Sequence, residues 1–202
     1  MQPSAFALWL DRAFAGFDGG ILAALRACFL SPGGAVLTPL ARLLALMGRD
    51  GVFLLLVGAA LLCFRRTRRS GLAVLLGIAL GFLVTNVLLK PLIFRPRPYA
   101  ASALFRRWWL EAGAAAESDR SFPSGHATVA MTSAAAFFRS GSARRRWPVF
   151  FFPLAMALSR CYLVVHYPTD VLAGLLIGLG TGLLGAYLAR RALRPRGNLT
   201  KE

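Results

Sequence analysis

Lys90, Arg97 and Arg160 are cations set in or beside apolar stretches, and both histidines of the chain, His126 and His166, lie in short segments near them. A phosphoryl group carries negative charge on several oxygens, which must be held and stabilised during transfer, and three cations suit that task. Arginine adds a planar fork that binds two such oxygens at once. Pro123-Ser124-Gly125-His126 reads as a helix start, with Ser124 near the N-cap and the backbone N–H groups of Gly125 and His126 directed at an anion. Gly125 has no Cβ, so a phosphate can approach the backbone closely there. The two histidines, together with Asp170 beyond His166, suit a covalent route in which a carboxylate orients an imidazole.

In order and spacing the three segments read KxxxxxxRP from Lys90 to Pro98, PSGH from Pro123 to His126, and SRxxxxxHxxxD from Ser159 to Asp170. This set resembles the three-part signature of the type-2 phosphatidic-acid phosphatase superfamily, which includes bacterial lipid phosphatases and vanadium haloperoxidases. The likeness extends over residues 70–190. It implies that His166 attacks phosphorus to form a phosphohistidine, that Asp170 orients and charges its ring, and that His126 protonates the leaving oxygen and then serves the attacking water. Lys90, Arg97, Ser124, Gly125 and Arg160 are implied to hold the phosphate. No metal and no cofactor are expected, because the cations and the helix N-terminus take the place of Mg²⁺. Arg95 falls on no fixed position and is expected to be an electrostatic helper at most.

The elements that must position these residues are apolar helices. The chain is 57% hydrophobic, too apolar for an ordinary soluble domain, and the expected fold is all-α: a polytopic membrane helix bundle. A bilayer core takes roughly 20 apolar residues per helix. Runs at 71–94, 122–138, 147–165 and 168–189 approach or reach that length, and two shorter runs, 33–47 and 50–64, read as a helical pair joined at Gly48-Arg49-Asp50. The count is about six spans. Residues 4–30 mix Phe6, Trp9, Phe14 and Phe17 with Asp11, Arg12 and Asp18, the pattern of an interfacial amphipathic helix. Small residues between Ala127 and Ala136, and glycines at 174, 178, 182 and 185, prepare two spans for close packing. The whole of 1–202 reads as one membrane-embedded domain, with 1–30 as the interfacial segment and 70–190 as the catalytic core.

A formal charge of +16 raises the question of nucleic acid, but the basic residues lie between apolar spans and are not interleaved with aromatics on one face, so no nucleic-acid partner is expected. Arg65, Arg66, Arg68 and Arg69 form one cluster, Arg139, Arg144, Arg145 and Arg146 a second, and Arg190, Arg191, Arg194, Arg196 and Lys201 a third. Six spans place all three on one side, which the positive-inside rule makes cytoplasmic. The signature residues then converge on the opposite side, at the headgroup level. Arg106, Arg107, Trp108 and Trp109 read as an interfacial anchor there.

The partners implied are the bilayer and a lipid phosphate or diphosphate. The expected location is a bacterial inner (plasma) membrane with the site facing the periplasm or exterior. Among bacterial members of the superfamily the first choice of substrate is undecaprenyl diphosphate. Phosphatidylglycerophosphate, phosphatidic acid and lipid A are alternatives, as is a lipid phosphotransferase using the same His166. A nonenzymatic scaffold would have little need of the intact polar set, and the apolar spans argue against haloperoxidase activity.

Overall fold

The computed structural model describes residues 2–141 and 144–193, and these are helical with short connections. The helices are α1 (Ala5–Ala13), α2 (Ala15–Leu30), α3 (Gly34–Gly48), α4 (Val52–Leu62), α5 (Arg68–Leu92), α6 (Ala103–Ala112), α7 (Gly125–Ser140), α8 (Phe151–Tyr162) and α9 (Pro168–Ala192). Of the expected tail cluster, Arg194, Arg196 and Lys201 lie outside the described residues.

The centre of the bundle is α5, α7 and α9, and small residues decide how closely they pack. Gly174, Gly178 and Gly182 of α9 face Ala127, Thr128 and Thr132 of α7 in the same order, so these two helices run parallel. A Cβ at Gly178 would stand 2.5 Å from the Thr128 carbonyl oxygen, which leaves room for glycine alone. Thr132 and Thr181 hydroxyls hydrogen-bond across the contact at 2.8 Å. Such a bond is favoured where no water competes for the hydroxyls. Gly77 of α5 meets Thr132 and Thr181, and Gly185 meets Ala73, so α5 runs antiparallel to both.

This arrangement sorts the polar residues by end. Helices α5 and α8 finish where α7 and α9 begin, which gathers Lys90, Ser124–His126 and Arg160–Asp170 at one end of the bundle. Arg65–Arg69, Arg139, Arg190 and Arg191 fall at the other.

The run 34–62 forms one bent element of 29 residues. Its break, at Asp50 (φ 53°) and Gly51 (φ 69°), adjoins the joint expected at Gly48-Arg49-Asp50. Its first half stays at the site end: the Thr38 hydroxyl is 2.8 Å from that of Tyr162 at the end of α8. Arg42 donates to the Ala112 carbonyl at 2.6 and 3.0 Å. Among the described residues three helices, including that element, are long and apolar enough to cross a membrane alone, or four if the α1–α2 pair is counted as one. The bundle is thus the expected one, with fewer independent long spans than six because 33–47 and 50–64 join into one and because α7 and α8, at 16 and 12 residues, fall short of a full span. The amphipathic segment 4–30 is two helices bent by 64°, with Phe6, Trp9 and Phe17 exposed and Asp18 buried.

Candidate active site

Two irregular backbones aim the site. Before Lys90 the last part of α5 widens into a π-helical stretch, Leu83–Leu89, a distortion that re-aims the residues after it. Between α8 and His166, Val164 adopts φ 56°. A β-branched residue in the left-handed region costs on the order of 1–3 kcal/mol and persists where surrounding contacts fix it. Here the Val165 N–H returns to the Arg160 carbonyl at 3.2 Å, and the Val165 carbonyl accepts from Arg97 at 2.9 Å. The turn therefore fixes His166 relative to both arginines.

The expected cations converge. Lys90, Arg97 and Arg160 are all buried, and the ammonium of Lys90 lies 3.6 Å from where a Gly125 Cβ would be. Ser124 caps α7, its hydroxyl accepting from the Ala127 N–H at 3.5 Å, and its own N–H donates to the Asp170 carbonyl at 3.1 Å. Lys90, Gly125, His126, Arg160 and His166 all line one cavity of about 640 Å³.

His166 is almost completely enclosed, and its two nitrogens have different surroundings. Arg97 Nη1 is 3.1 Å from Nε2. A guanidinium can only donate, so Nε2 is the unprotonated nitrogen. Nδ1 lies 3.5 Å from Asp170 Oδ2, long for a hydrogen bond but close enough for the carboxylate to set the tautomer. Oδ2 also accepts the Tyr167 N–H at 2.9 Å, as α9 begins, and the Ser121 hydroxyl. Burial first, and the Arg97 charge second, push the His166 pKa well below its ordinary 6.5, so the ring is neutral at pH 7. A neutral imidazole is a competent nucleophile once an incoming phosphate draws Arg97 off the Nε2 lone pair.

His126 enters from α7. Its Nε2 is 3.2 Å from the Ala45 carbonyl of α3. A carbonyl only accepts, so Nε2 carries the hydrogen and Nδ1 is left as a base.

Several residues of the site were not singled out in the sequence. Glu117 pairs with Arg97 at 2.6 Å and with Arg160, and Asp119 pairs with Arg97 and Lys90. Burial pushes the Glu117 pKa up, but Arg160 and Arg97 outweigh it and hold the carboxyl at about 2. Arg95, expected to be at most a helper, is instead among the most buried side chains, bonded to Asp11, Asp18, Thr169 and Asp170. Its position in the loop before Arg97 brings it to Asp170, the carboxylate nearest His166 Nδ1. A signal for these residues existed in the composition: the chain has eight Asp and Glu against 24 Lys and Arg. Acids so scarce between so many cations are placed where charge must be balanced. Trp109, expected as an interfacial anchor, stacks on Tyr99 at 4.6 Å.

In this arrangement two carboxylates sit on the cations that a phosphate would use. An incoming dianion competes with Glu117 for Arg97 and Arg160. Removing that charge by Glu117→Gln should tighten inhibition by orthovanadate, a phosphate mimic, by about threefold to tenfold. Unchanged or weakened inhibition would show that Glu117 does not occupy the anion's place.

Several known proteins resemble this chain in sequence or in fold. Undecaprenyl-diphosphatase BcrC of Bacillus subtilis is 34% identical over 116 residues, 57% of this chain and 53% of BcrC, so the match spans about half of that protein's length. Decaprenylphosphoryl-5-phosphoribose phosphatase of Mycobacterium tuberculosis is 36% identical over 134 residues, 66% of this chain and 68% of that protein. The crystal structure of the transmembrane PAP2-type phosphatidylglycerolphosphate phosphatase from Bacillus subtilis superposes with a TM-score of 0.62 at 26% identity, covering 95% of this chain and 96% of that one. The structure of Aquifex aeolicus LpxE gives a TM-score of 0.65 at 23% identity, over 85% of this chain and 95% of that one. The PAP2 superfamily model matches residues 70–194, close to the 70–190 core expected from the motifs, and the chain belongs to that superfamily.

Proposed function

We propose that this protein is an integral-membrane lipid phosphatase that hydrolyses a lipid diphosphate through a phosphohistidine on His166. The observation that carries the reading is the placement of His166 Nε2 beside the Arg97 guanidinium, in a cavity whose walls also hold Lys90, Arg160, Gly125 and His126. The same cavity reaches Leu46, Ile78 and Phe82, and Leu46 and Phe82 are exposed on the apolar outside of the bundle, as an acyl or prenyl tail requires.

The lone pair of His166 Nε2 forms the N–P bond as the bond from phosphorus to the leaving oxygen breaks, and His126, once it has taken up a proton at Nδ1, supplies it to that oxygen. Lys90, Arg97, Arg160 and the N–H groups of Gly125 and His126 hold the charge that builds on the other oxygens. His126 then takes a proton from water as the water oxygen attacks phosphorus and the N–P bond breaks, returning His166 and releasing phosphate.

The choice of a diphosphate rests on the leaving-group side. In-line displacement puts the leaving group opposite the nucleophile, at His126. His126 packs on Ala45 and Gly48 of α3, and Arg42 and Arg49 flank these on the cavity wall. Cations there fit a leaving group that is itself a lipid phosphate, such as undecaprenyl phosphate. A monoester lipid is the second reading, favoured by the likeness to the mycobacterial phosphatase.

Phosphate release by detergent-solubilised protein in EDTA, from undecaprenyl diphosphate, phosphatidylglycerophosphate and phosphatidic acid, tests the reading. The diphosphate should give the highest kcat/KM. Arg49→Gln should lower that value about threefold to tenfold with less effect on the monoesters. Faster turnover of phosphatidic acid would reject the diphosphate choice, and phosphate release that requires a second lipid acceptor would make the protein a phosphotransferase.

The basic clusters at Arg65–Arg69, Arg139 and Arg190–Arg191 support placing that end in the cytoplasm and the site at the outer face of a plasma membrane. A reporter active only outside the cytoplasm should be silent when fused after Arg69, and activity would reverse the orientation.

A further inference from the structure

The family model begins at residue 70, yet the nucleophile's carboxylate is held by a network that reaches back to the first helices. Arg95 Nη1 donates to Asp170 Oδ1 at 2.6 Å and to the Thr169 hydroxyl at 2.7 Å. Its Nη2 donates to Asp18 Oδ2 of α2 at 2.9 Å, and its Nε to Asp11 Oδ1 of α1 at 2.8 Å. Asp18 closes the ring: Oδ1 accepts the Thr169 N–H at 2.9 Å, and Oδ2 accepts the Thr169 hydroxyl at 2.7 Å. The Arg95 guanidinium also lies over the Tyr167 ring, 4.0 Å from its centroid. Arg95 is 1% exposed, Asp18 3% and Asp170 0%, so these charges have one another and no water.

We propose that Arg95 and Asp18 are positioning residues for the reaction: they fix the Asp170 carboxylate, and through it the ring of His166, so that the N-terminal helices form part of the catalytic framework. This rests on the phosphatase reading of the same site. The physical reason is the division of labour on Asp170. Oδ2 is the oxygen beside His166 Nδ1, and it already serves Tyr167 and Ser121. Oδ1 is gripped by Arg95. Without that grip the carboxylate can rotate about its terminal torsion, which has only broad rotamer preferences. The 3.5 Å approach to Nδ1 is then no longer fixed. Arg95 cannot hold its own orientation, because a fork with five donors needs acceptors on each side. Asp18 and Thr169 provide them on the side facing α2.

A network that only staples α2 to the bundle would have the same burial, so the test separates positioning from stability. Steady-state kinetics on the lipid substrate are compared for the wild type, Asp18→Asn, Arg95→Lys and Thr169→Val, per molecule of folded protein, with melting temperatures alongside. Lysine keeps the charge of Arg95 and loses the fork, so it should not rescue. Asp18→Asn and Arg95→Lys should lower kcat about tenfold or more while KM stays within about twofold, because the phosphate-holding cations are untouched. Thr169→Val, which removes one hydroxyl and no charge, should lower kcat in the same sense by less, and it carries the test if the charge variants fail to fold.

Variants with wild-type kcat per folded molecule and only a lower melting temperature would overturn the inference and leave the phosphatase reading standing. A wild type that releases no phosphate from any lipid would remove both.

Discussion

His166→Ala is expected to abolish turnover, by on the order of 10⁴-fold or more, while lipid binding persists. The substitution removes the atom that would bond to phosphorus and leaves Lys90, Arg97 and Arg160 in place. Binding measured by vanadate protection should therefore survive even though phosphate release does not. Turnover within tenfold of wild type would mean that water attacks phosphorus directly and that His166 only orients groups around it.

The pH dependence follows from the same environment. Burial and the Arg97 charge disfavour protonated His166, so its folded-state pKa is below the ordinary 6.5. The nucleophile remains neutral as the pH falls through 6.5, and the limb of kcat/KM due to His166 should lie well below that value. A limb at or above pH 6.5 that persists in His126→Asn, and so belongs to His166, would contradict the placement of Arg97 against Nε2.

His126→Asn carries the second largest effect, a loss of about 10²–10⁴-fold in turnover. Its two steps should suffer unequally. A lipid phosphate leaving from a diphosphate is already a stable anion and needs little help from an acid. Water attacking a phosphohistidine needs a base to take its proton. The phosphoenzyme should therefore accumulate in His126→Asn when the substrate is a diphosphate, appearing as a burst followed by slow turnover. Equal slowing of both steps would point to a monoester, whose alkoxide leaving group depends on the acid.

The candidate reacting groups were legible in the sequence because their spacing is fixed by the helix ends that carry them. Lys90 and Arg97 must straddle the end of α5, and Ser124 must cap α7, so one reading of order and spacing located eight residues, all of which the structure gathers at one end of the bundle. The stripe of small residues was equally readable, since α7 and α9 can only lie in contact if Gly178 and Gly182 stay small.

Residues acting through long-range pairing were not legible. Asp18 meets Thr169 across 151 positions, and nothing in its neighbourhood separates it from Arg12 or from any other charge on an amphipathic helix. Arg95 was hidden by lying two residues from Arg97, with partners in α1, α2 and α9 that only the fold brings near. Glu117 and Asp119 sit in a connection with no periodicity, where only the scarcity of acids could have marked them. The 33–47 run, the first of a helical pair, joins 50–64 in one bent element. What its own residues did not reveal is the acceptor of Arg42, the Ala112 carbonyl, which ties α3 to the site end.

The most direct test of the central claim is to mix the protein with undecaprenyl diphosphate carrying radiolabel in its terminal phosphate, quench it under alkaline denaturing conditions that preserve phosphohistidine, and map the label by proteolysis. Label on the peptide containing His166, acid-labile, increased in His126→Asn and missing in His166→Ala, is the result expected. Label on any other residue, or steady phosphate release with no labelled protein even in His126→Asn, would contradict it.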